Sequence, residues 1–344
     1  MHYNVGMKRT LVLYALVPLF VAAAFSALHF APFLETAEDR IYDSLLRIKR
    51  PIPESDRILL LNIGDEAIVN VGVFPWSRDI IARGLILLRE FEARTVSLDI
   101  EYVEESPLGV NSSVLNQEIP QLFQQEFGQI RQNIVDLFTA LSQGQISLSD
   151  AESFVGDLTS LTTESRELLL NRVRDIARDN DEFMGNTSRL NGSAYFTVNM
   201  LDEPDSVVRE ETQQFAAENF AISNIEDRTN GETFPTAGGI RPTIMPILED
   251  ASGVGFVNVE VDPDGVRRRI NLLWEHDGVY YPQLALSPVR DVLGNPRIVA
   301  TPERIILEEA QMPDGSVTDI TIPLTEDGHA LVNWPAGEFD ESYR

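Results

Sequence analysis

The sequence predicts an α/β protein: a membrane-spanning helix, then a mixed sheet whose β-α-β core passes into antiparallel hairpins, plus an inserted helical hairpin. Three observations carry this reading. Residues 11–34 contain no Asp, Glu, Lys or Arg and come just after Lys8 and Arg9. Short runs rich in Val, Ile and Leu alternate with helical spacings. Turn-forming Asp-Gly pairs at Asp264-Gly265, Asp277-Gly278, Asp314-Gly315 and Asp327-Gly328 punctuate the last third.

The amino-terminal run is the first element. About 20 apolar residues span the ~30 Å bilayer core, and Lys/Arg stays on the cytoplasmic side. Residues 1–10 are therefore expected inside, 11–34 as a signal anchor in the inner (cytoplasmic) membrane, and 35–344 outside, periplasmic or extracellular. A cleaved secretory signal has a shorter apolar region of about 7–15 residues, although Ala24-Phe25-Ser26 fits its cleavage pattern. Pro18 is tolerated in a membrane helix.

Beyond the anchor, Glu35 to Arg50 sets Ala37, Ile41, Leu45 and Ile48 at helical spacing, and Pro51 and Pro53 end that helix. Arg57 to Gly64 reads as a buried strand of a parallel sheet, Ser77 as the cap of a helix through Ile80, Ile81, Leu85 and Leu88, and Thr95 to Tyr102 as a second strand. Their crossover is expected to be right-handed. From Pro107 to Arg178 the strand signals stop. Ile119, Leu122, Phe127, Ile130, Ile134, Leu137 and Leu141 define one helix ending at Gly144, and Ser149-x-x-Glu152 offers a capping box for a second that runs to Ile176. This is the helical insertion, 107–178. Its stripes pack on each other and on the sheet, or the insertion serves as a dimer contact or a ligand-sensing arm. The sheet resumes at Ser193 to Met200. A hairpin then joins Val254–Val261 to Val266–Trp274 across Asp262-Pro263-Asp264-Gly265, and a helix covers Gln283 to Leu293. Ile305–Leu307, Val317–Leu324 and Ala330–Trp334 close the chain.

Composition narrows function. The formal charge is −27, from 54 acidic and 27 basic residues, so nucleic acid is a poor partner. There is no cysteine and there are four histidines, which removes thiolate chemistry and a His-rich zinc site. Asp65 and Glu66 follow the first expected strand, and Asp99 and Glu101 close the second, where open α/β sheets bind ligands. Four carboxylates there can hold a divalent cation or serve acid-base chemistry in an extracytoplasmic hydrolase; alternatively they cap helices and fix loops. No nucleophile accompanies them. The Asp262–Gly265 stretch is similar to part of a calcium loop but lacks the later ligands, and reads as a turn. Arg267, Arg268 and Arg269 alternate across a strand, which sends Arg268 to the face opposite its neighbours. No glycine-rich phosphate loop, G-x-S-x-G elbow or H-E-x-x-H occurs, so no other cofactor is expected.

Asp39-Arg40-Ile41-Tyr42-Asp43-Ser44-Leu45-Leu46, Ile63-Gly64-Asp65-Glu66, Gly72-Val73-Phe74-Pro75-Trp76-Ser77-Arg78 and Leu98-Asp99-Ile100, taken in that order, resemble the CHASE type-two family of extracytoplasmic sensory domains. Gly255-Phe256-Val257-Asn258, Asp262-Pro263-Asp264-Gly265-Val266-Arg267-Arg268 and Leu331-Val332-Asn333-Trp334 continue the pattern. The insertion departs from it. The resemblance marks Asp39, Tyr42, Asp43, Pro75, Trp76, Arg78, Asp262, Asp264, Gly265 and Arg267 as motif positions. It implies a homodimeric membrane receptor with an unknown extracytoplasmic ligand and a cytoplasmic output domain, an adenylate or guanylate cyclase, or else a histidine or serine/threonine kinase. It also implies that the residues given are not themselves an enzyme, and that the stretch from Trp334 to Arg344 approaches a further membrane segment.

Overall fold

The computed structural model describes residues 16–21, 32–50, 55, 57–229, 231 and 233–334. It divides into two units, Met1–Gly64 with Val332–Arg344, and Asp65–Leu331.

In the first unit, α1 (Pro32–Ile48) forms where helical spacing predicted it. Its expected apolar stripe is nevertheless exposed at Ile41, Leu45 and Ile48, while Asp39 is buried. Most of the expected anchor, 11–34, lies outside the described residues, as do Pro51 and Pro53. Among the described residues no helix is long and apolar enough to cross a membrane. The expected strand from Arg57 to Gly64 does not form: these residues pair with no strand, and Ile58, Leu59, Leu60 and Leu61 are exposed. An apolar run gives a segment the tendency to be buried, but a strand exists only where an edge accepts its hydrogen bonds.

The second unit opens with α2 (Asp65–Val71) and α3 (Arg78–Glu90), then β1 (Val96–Ser97) and β2 (Gly109–Val110). The insertion follows as a π-turn at Val114–Glu118, α4 (Ile119–Ser142) and α5 (Leu148–Arg174), and β3 (Ala177–Arg178) returns to pair antiparallel with β2. Gly144 ends the first helix with φ +67°, as expected. The capping box of α5 lies two residues earlier than expected: Ser147 accepts from the Asp150 amide, and Asp150 accepts from the Ser147 amide. Ser147-x-x-Asp150 satisfies both orphan donors reciprocally, with Ser149 and Glu152 lying inside the helix.

A helix absent from the sequence reading, α6 (Asn180–Asn191), is capped by Asp179 and leads into β4 (Ala194–Leu201), which lies at the heart of the main sheet. After α7 (Glu210–Phe220) and β5 (Ile225–Asp227) come β6 (Gly239–Pro242), α8 (Met245–Leu248) and β7 (Gly253–Phe256). β4 pairs parallel with β1 and β7 and antiparallel with β6, so the sheet is mixed, and the β1 crossover reaches β4 instead of the 57–64 segment. Phe196 and Val198 are completely buried on β4; each such side chain contributes about 1.5–3 kcal/mol. Gly255 is required by packing, since a Cβ there would stand 2.3 Å from the Leu284 Cα.

The expected hairpin across Asp262–Gly265 is corrected in the same way. Its turn forms, with Gly265 at φ +85° and its amide bonded to the Asp262 carbonyl at 2.8 Å. Its arms do not pair with each other along their length: β7 joins β4, and β8 (Arg269–Ile270) pairs antiparallel with β14 (Ala330–Leu331). Between them, β9 (Leu273–His276) and β10 (Val279–Pro282) form a hairpin over Asp277-Gly278, α9 (Leu286–Val292) packs behind it, and β11 (Arg297–Thr301), β12 (Arg304–Gln311) and β13 (Val317–Pro323) build the second sheet in the order β13-β12-β11-β5. Leu273, Ile298, Ala300, Ile305 and Ala310 form its fully buried core.

Candidate functional site

Two clusters of paired charge concentrate the motif residues. The first sits at the root of the insertion. Phe74-Pro75 is a cis peptide, Trp76 donates its indole N–H to the Gly72 carbonyl at 2.7 Å, and Ser77 occupies the position before α3. Ser77 does not cap the helix as expected. Its hydroxyl donates to Asp79 at 2.6 Å and accepts from the Asn180 side-chain amide at 3.1 Å. Arg78 is buried; its guanidinium pairs with Asp181, donates to the Glu104 carbonyl and lies 5.3 Å from the Tyr102 ring centroid. Asp181 accepts further bonds from the Ser106 amide and hydroxyl, at 2.9 and 2.6 Å. Arg178, on β3, pairs with Asp79 at 2.9 Å. Burial raises the Asp79 carboxyl, but the Ser77 hydroxyl and the Arg178 and Arg83 guanidiniums outweigh it and hold the group below its ordinary value. Burial pushes the Tyr102 phenol up despite the nearby Arg78 charge.

The buried guanidinium meets a carboxylate and a backbone carbonyl, the pairing that lets a buried charge be tolerated. The network joins α3, the loop that follows β1, and α6 where the insertion returns. Arg78 was legible as a motif position. Its partner Asp181, 103 residues away, was not, and the signal within reach was the Asp179-Asn180-Asp181 start of α6.

The second cluster is the turn that follows β7. Arg268 is 2 % exposed. It donates to Asp262 at 2.9 Å and, through two nitrogens, to Asp264 at 2.9 and 2.8 Å. Arg269 also pairs with Asp262, Asn271 donates to Glu260 at 2.9 Å, and His329 contacts Glu260 at 3.0 Å. The Asp264 carboxyl is held at about 2 by Arg268 and by the Val266 amide. Arg268 does lie opposite Arg267, which is exposed, but its face is the interior, and its anion is supplied by the protein's own turn. Asp262 and Asp264 thus serve an arginine.

In the first unit, Tyr42 donates its hydroxyl to the Val332 carbonyl at 3.0 Å, tying α1 to the stretch that leaves the last strand. Asp39 is buried, and both it and Asp43 have polar partners.

Asp65 and Glu66 lie in the first turn of α2, and Asp99 and Glu101 are exposed beyond β1. Among the described residues, no group of three or more His, Asp or Glu side chains is placed to hold a metal ion. Between α4 and α5, near their shared tip, lies a half-open cavity of about 470 Å³ with Leu137, Ala140, Phe154, Leu158 and Leu161 in its wall and Asp136 and Asp157 among its polar groups.

No curated protein and no solved structure matches the chain. The CHASE2 domain matches residues 17–344, a span that takes in both charge clusters, α1 and the insertion. The chain therefore belongs to the CHASE2 family of extracytoplasmic sensory domains.

Proposed function

We propose that this chain is the signal-input part of a transmembrane receptor, with residues 1–10 cytoplasmic, 11–34 crossing the inner membrane and the sensory domain outside, coupled to a cytoplasmic class III nucleotide cyclase. The observation that carries the reading is the family match across 17–344. The charge layout supports the orientation: Lys8 and Arg9 precede a run free of charge, and the acidic mass follows it. The Tyr42–Val332 hydrogen bond supports the coupling, because it binds the helix next to the anchor to the segment that follows the last strand.

A stimulus outside alters an active site inside only through different affinities for two global states. α1 is the element that reports the difference, since it continues directly from the anchor. In the receptor carrying its output domain, inserting residues at Pro51 to Pro53 uncouples cyclase activity from the outer domain while that domain's melting temperature is kept. Cyclase output that still follows the outer domain after the insertion counts against α1 as the reporter, and an output domain of kinase type overturns the cyclase assignment. The receptor is read as a homodimer.

A further inference from the structure

Two neighbouring side chains bury polar atoms that nothing in the chain serves. β8 and β14 pair with Ile270 opposite Ala330 and Arg269 opposite Leu331, so continuing that register one step sets Asn271 opposite His329, on one face of the ribbon. Both reach the same carboxylate. The Asn271 amide donates to one oxygen of Glu260 at 2.9 Å, and His329 Nε2 meets the other at 3.0 Å. Asn271 is 4 % exposed and the His329 side chain 12 %. The remaining polar atom of each, Asn271 Oδ1 and His329 Nδ1, is buried without a hydrogen-bond partner. An ionised carboxylate only accepts, so Nε2 carries a hydrogen, and the neutral ring then leaves Nδ1 as a bare acceptor. Two acceptors thus share the interior with no donor between them, which costs free energy.

We propose that this pair is a binding site for a proton from the extracytoplasmic medium, which makes protons a stimulus of the proposed receptor; the side of the membrane sampled rests on that reading, and the site itself does not. One proton adds to Nδ1 and nothing leaves. The bare acceptor becomes a donor, and Asn271 Oδ1, on the opposing residue, is the acceptor that suits it. The same proton turns the contact with Glu260 into a charge-assisted pair. Histidine is the side-chain type whose charge changes between about pH 5 and 8. Among the described residues, Glu260 is the charged group within ion-pair distance of the ring. Arg269 on β8 turns its guanidinium to Asp262, Glu326 and Asp327 stand exposed in the turn before His329, and Asp319 on β13 accepts from the Glu309 amide. Position gives the site a readout. His329 directly precedes β14, and Val332, whose carbonyl holds the Tyr42 hydroxyl, follows that strand. Proton uptake therefore steadies the strand that leads to this tie.

The test is nuclear magnetic resonance of the full chain in detergent, with nitrogen-labelled histidine, from about pH 8 to about pH 5. His329, identified by the signal lost in His329→Gln, is expected to hold its hydrogen on Nε2 at the alkaline end and to gain a second on Nδ1 at the acid end. Asn271→Ala removes the matching acceptor and is expected to weaken proton uptake about tenfold. Acidification should raise the wild-type melting temperature by a few degrees more than that of His329→Gln, because the stabilisation is present while the ring holds its second proton and is lost as pH rises and that proton leaves. A wild-type ring that carries its hydrogen on Nδ1 at the alkaline end, or keeps Nδ1 bare at the acid end, overturns the site whether or not the variants fold. In the receptor with its output domain, cyclase activity should follow the outside pH in the wild type and not in His329→Gln. A ring that titrates while output ignores the outside pH removes the proton as stimulus and keeps the site. A response to the inside pH instead overturns the proposed orientation.

Discussion

Asp264 grips both terminal nitrogens of Arg268, at 2.9 and 2.8 Å, from four positions away in the same turn. The turn is thereby closed by a bidentate pair whose cationic half is buried and whose anionic half reaches solvent. Such forks are the strong form of charged hydrogen bond. Removing the cation leaves Asp262, itself nearly buried, held by Arg269 alone. Arg268→Ala is expected to cost about 3–5 kcal/mol, read as a fall in the urea midpoint at unchanged slope. A loss below about 1 kcal/mol would mean that the pair is incidental.

The same pair sets an acid dependence. The Asp264 carboxyl lies at about 2 when folded, against an ordinary 3.8. A depressed folded value means the unfolded chain takes up protons first as pH falls, so the contribution is complete above about pH 4 and is lost on the way to about pH 2. Asp264→Asn should flatten the stability-against-pH curve within that window and leave its shape above about pH 5 unchanged. An identical acid limb in both proteins would show that Asp264 has no part in it.

At the insertion's root, Arg78→Ala is expected to cost about 3 kcal/mol by stranding Asp181. Arg78→Lys should recover only part of it, because one ammonium lacks the planar fork that serves Asp181 and the Glu104 carbonyl together. Hydrogen exchange of the Asn111 amide, which donates to the Ile176 carbonyl at 2.8 Å beside this ladder, reads the local effect: it should accelerate in both variants, most in Ala. Full rescue by lysine would show that charge alone matters.

Calcium or magnesium should leave the melting temperature unchanged, since a ligand stabilises by mass action only where a site exists and Asp65, Glu66, Asp99 and Glu101 form no metal-holding group. A rise that Asp99→Asn abolishes would restore the cation site to this end of the sheet.

Topology is checked on spheroplasts. Protease added outside should digest the chain beyond residue 34 and spare a tag before Lys8. The reverse pattern would invert the proposed orientation.

Local chemistry was legible in the sequence. Gly144, Gly265, Asp277-Gly278 and Gly315 each mark a turn because a left-handed backbone needs glycine or a short polar residue. The helical insertion was legible because apolar residues recurring every three or four positions, turn after turn, fit one face of a helix and neither face of a strand. Pairing was not. Ile58 to Leu61 and Val254 to Phe256 are both apolar and strand-like, yet only the second finds a partner, and nothing local to either run says that β4 accepts one and not the other. The Arg78–Asp181 pair was hidden for the same reason, since an ion pair between distant segments leaves no periodicity in either.

The two-rung ladder between Gly109–Val110 and Ala177–Arg178 brings the departure and return of the arm side by side. An excursion whose ends already touch imposes no strain on the scaffold, whatever its reach. The arm is thus an interchangeable cassette: its span can be lengthened, shortened or replaced by a tight connection without re-registering the main sheet.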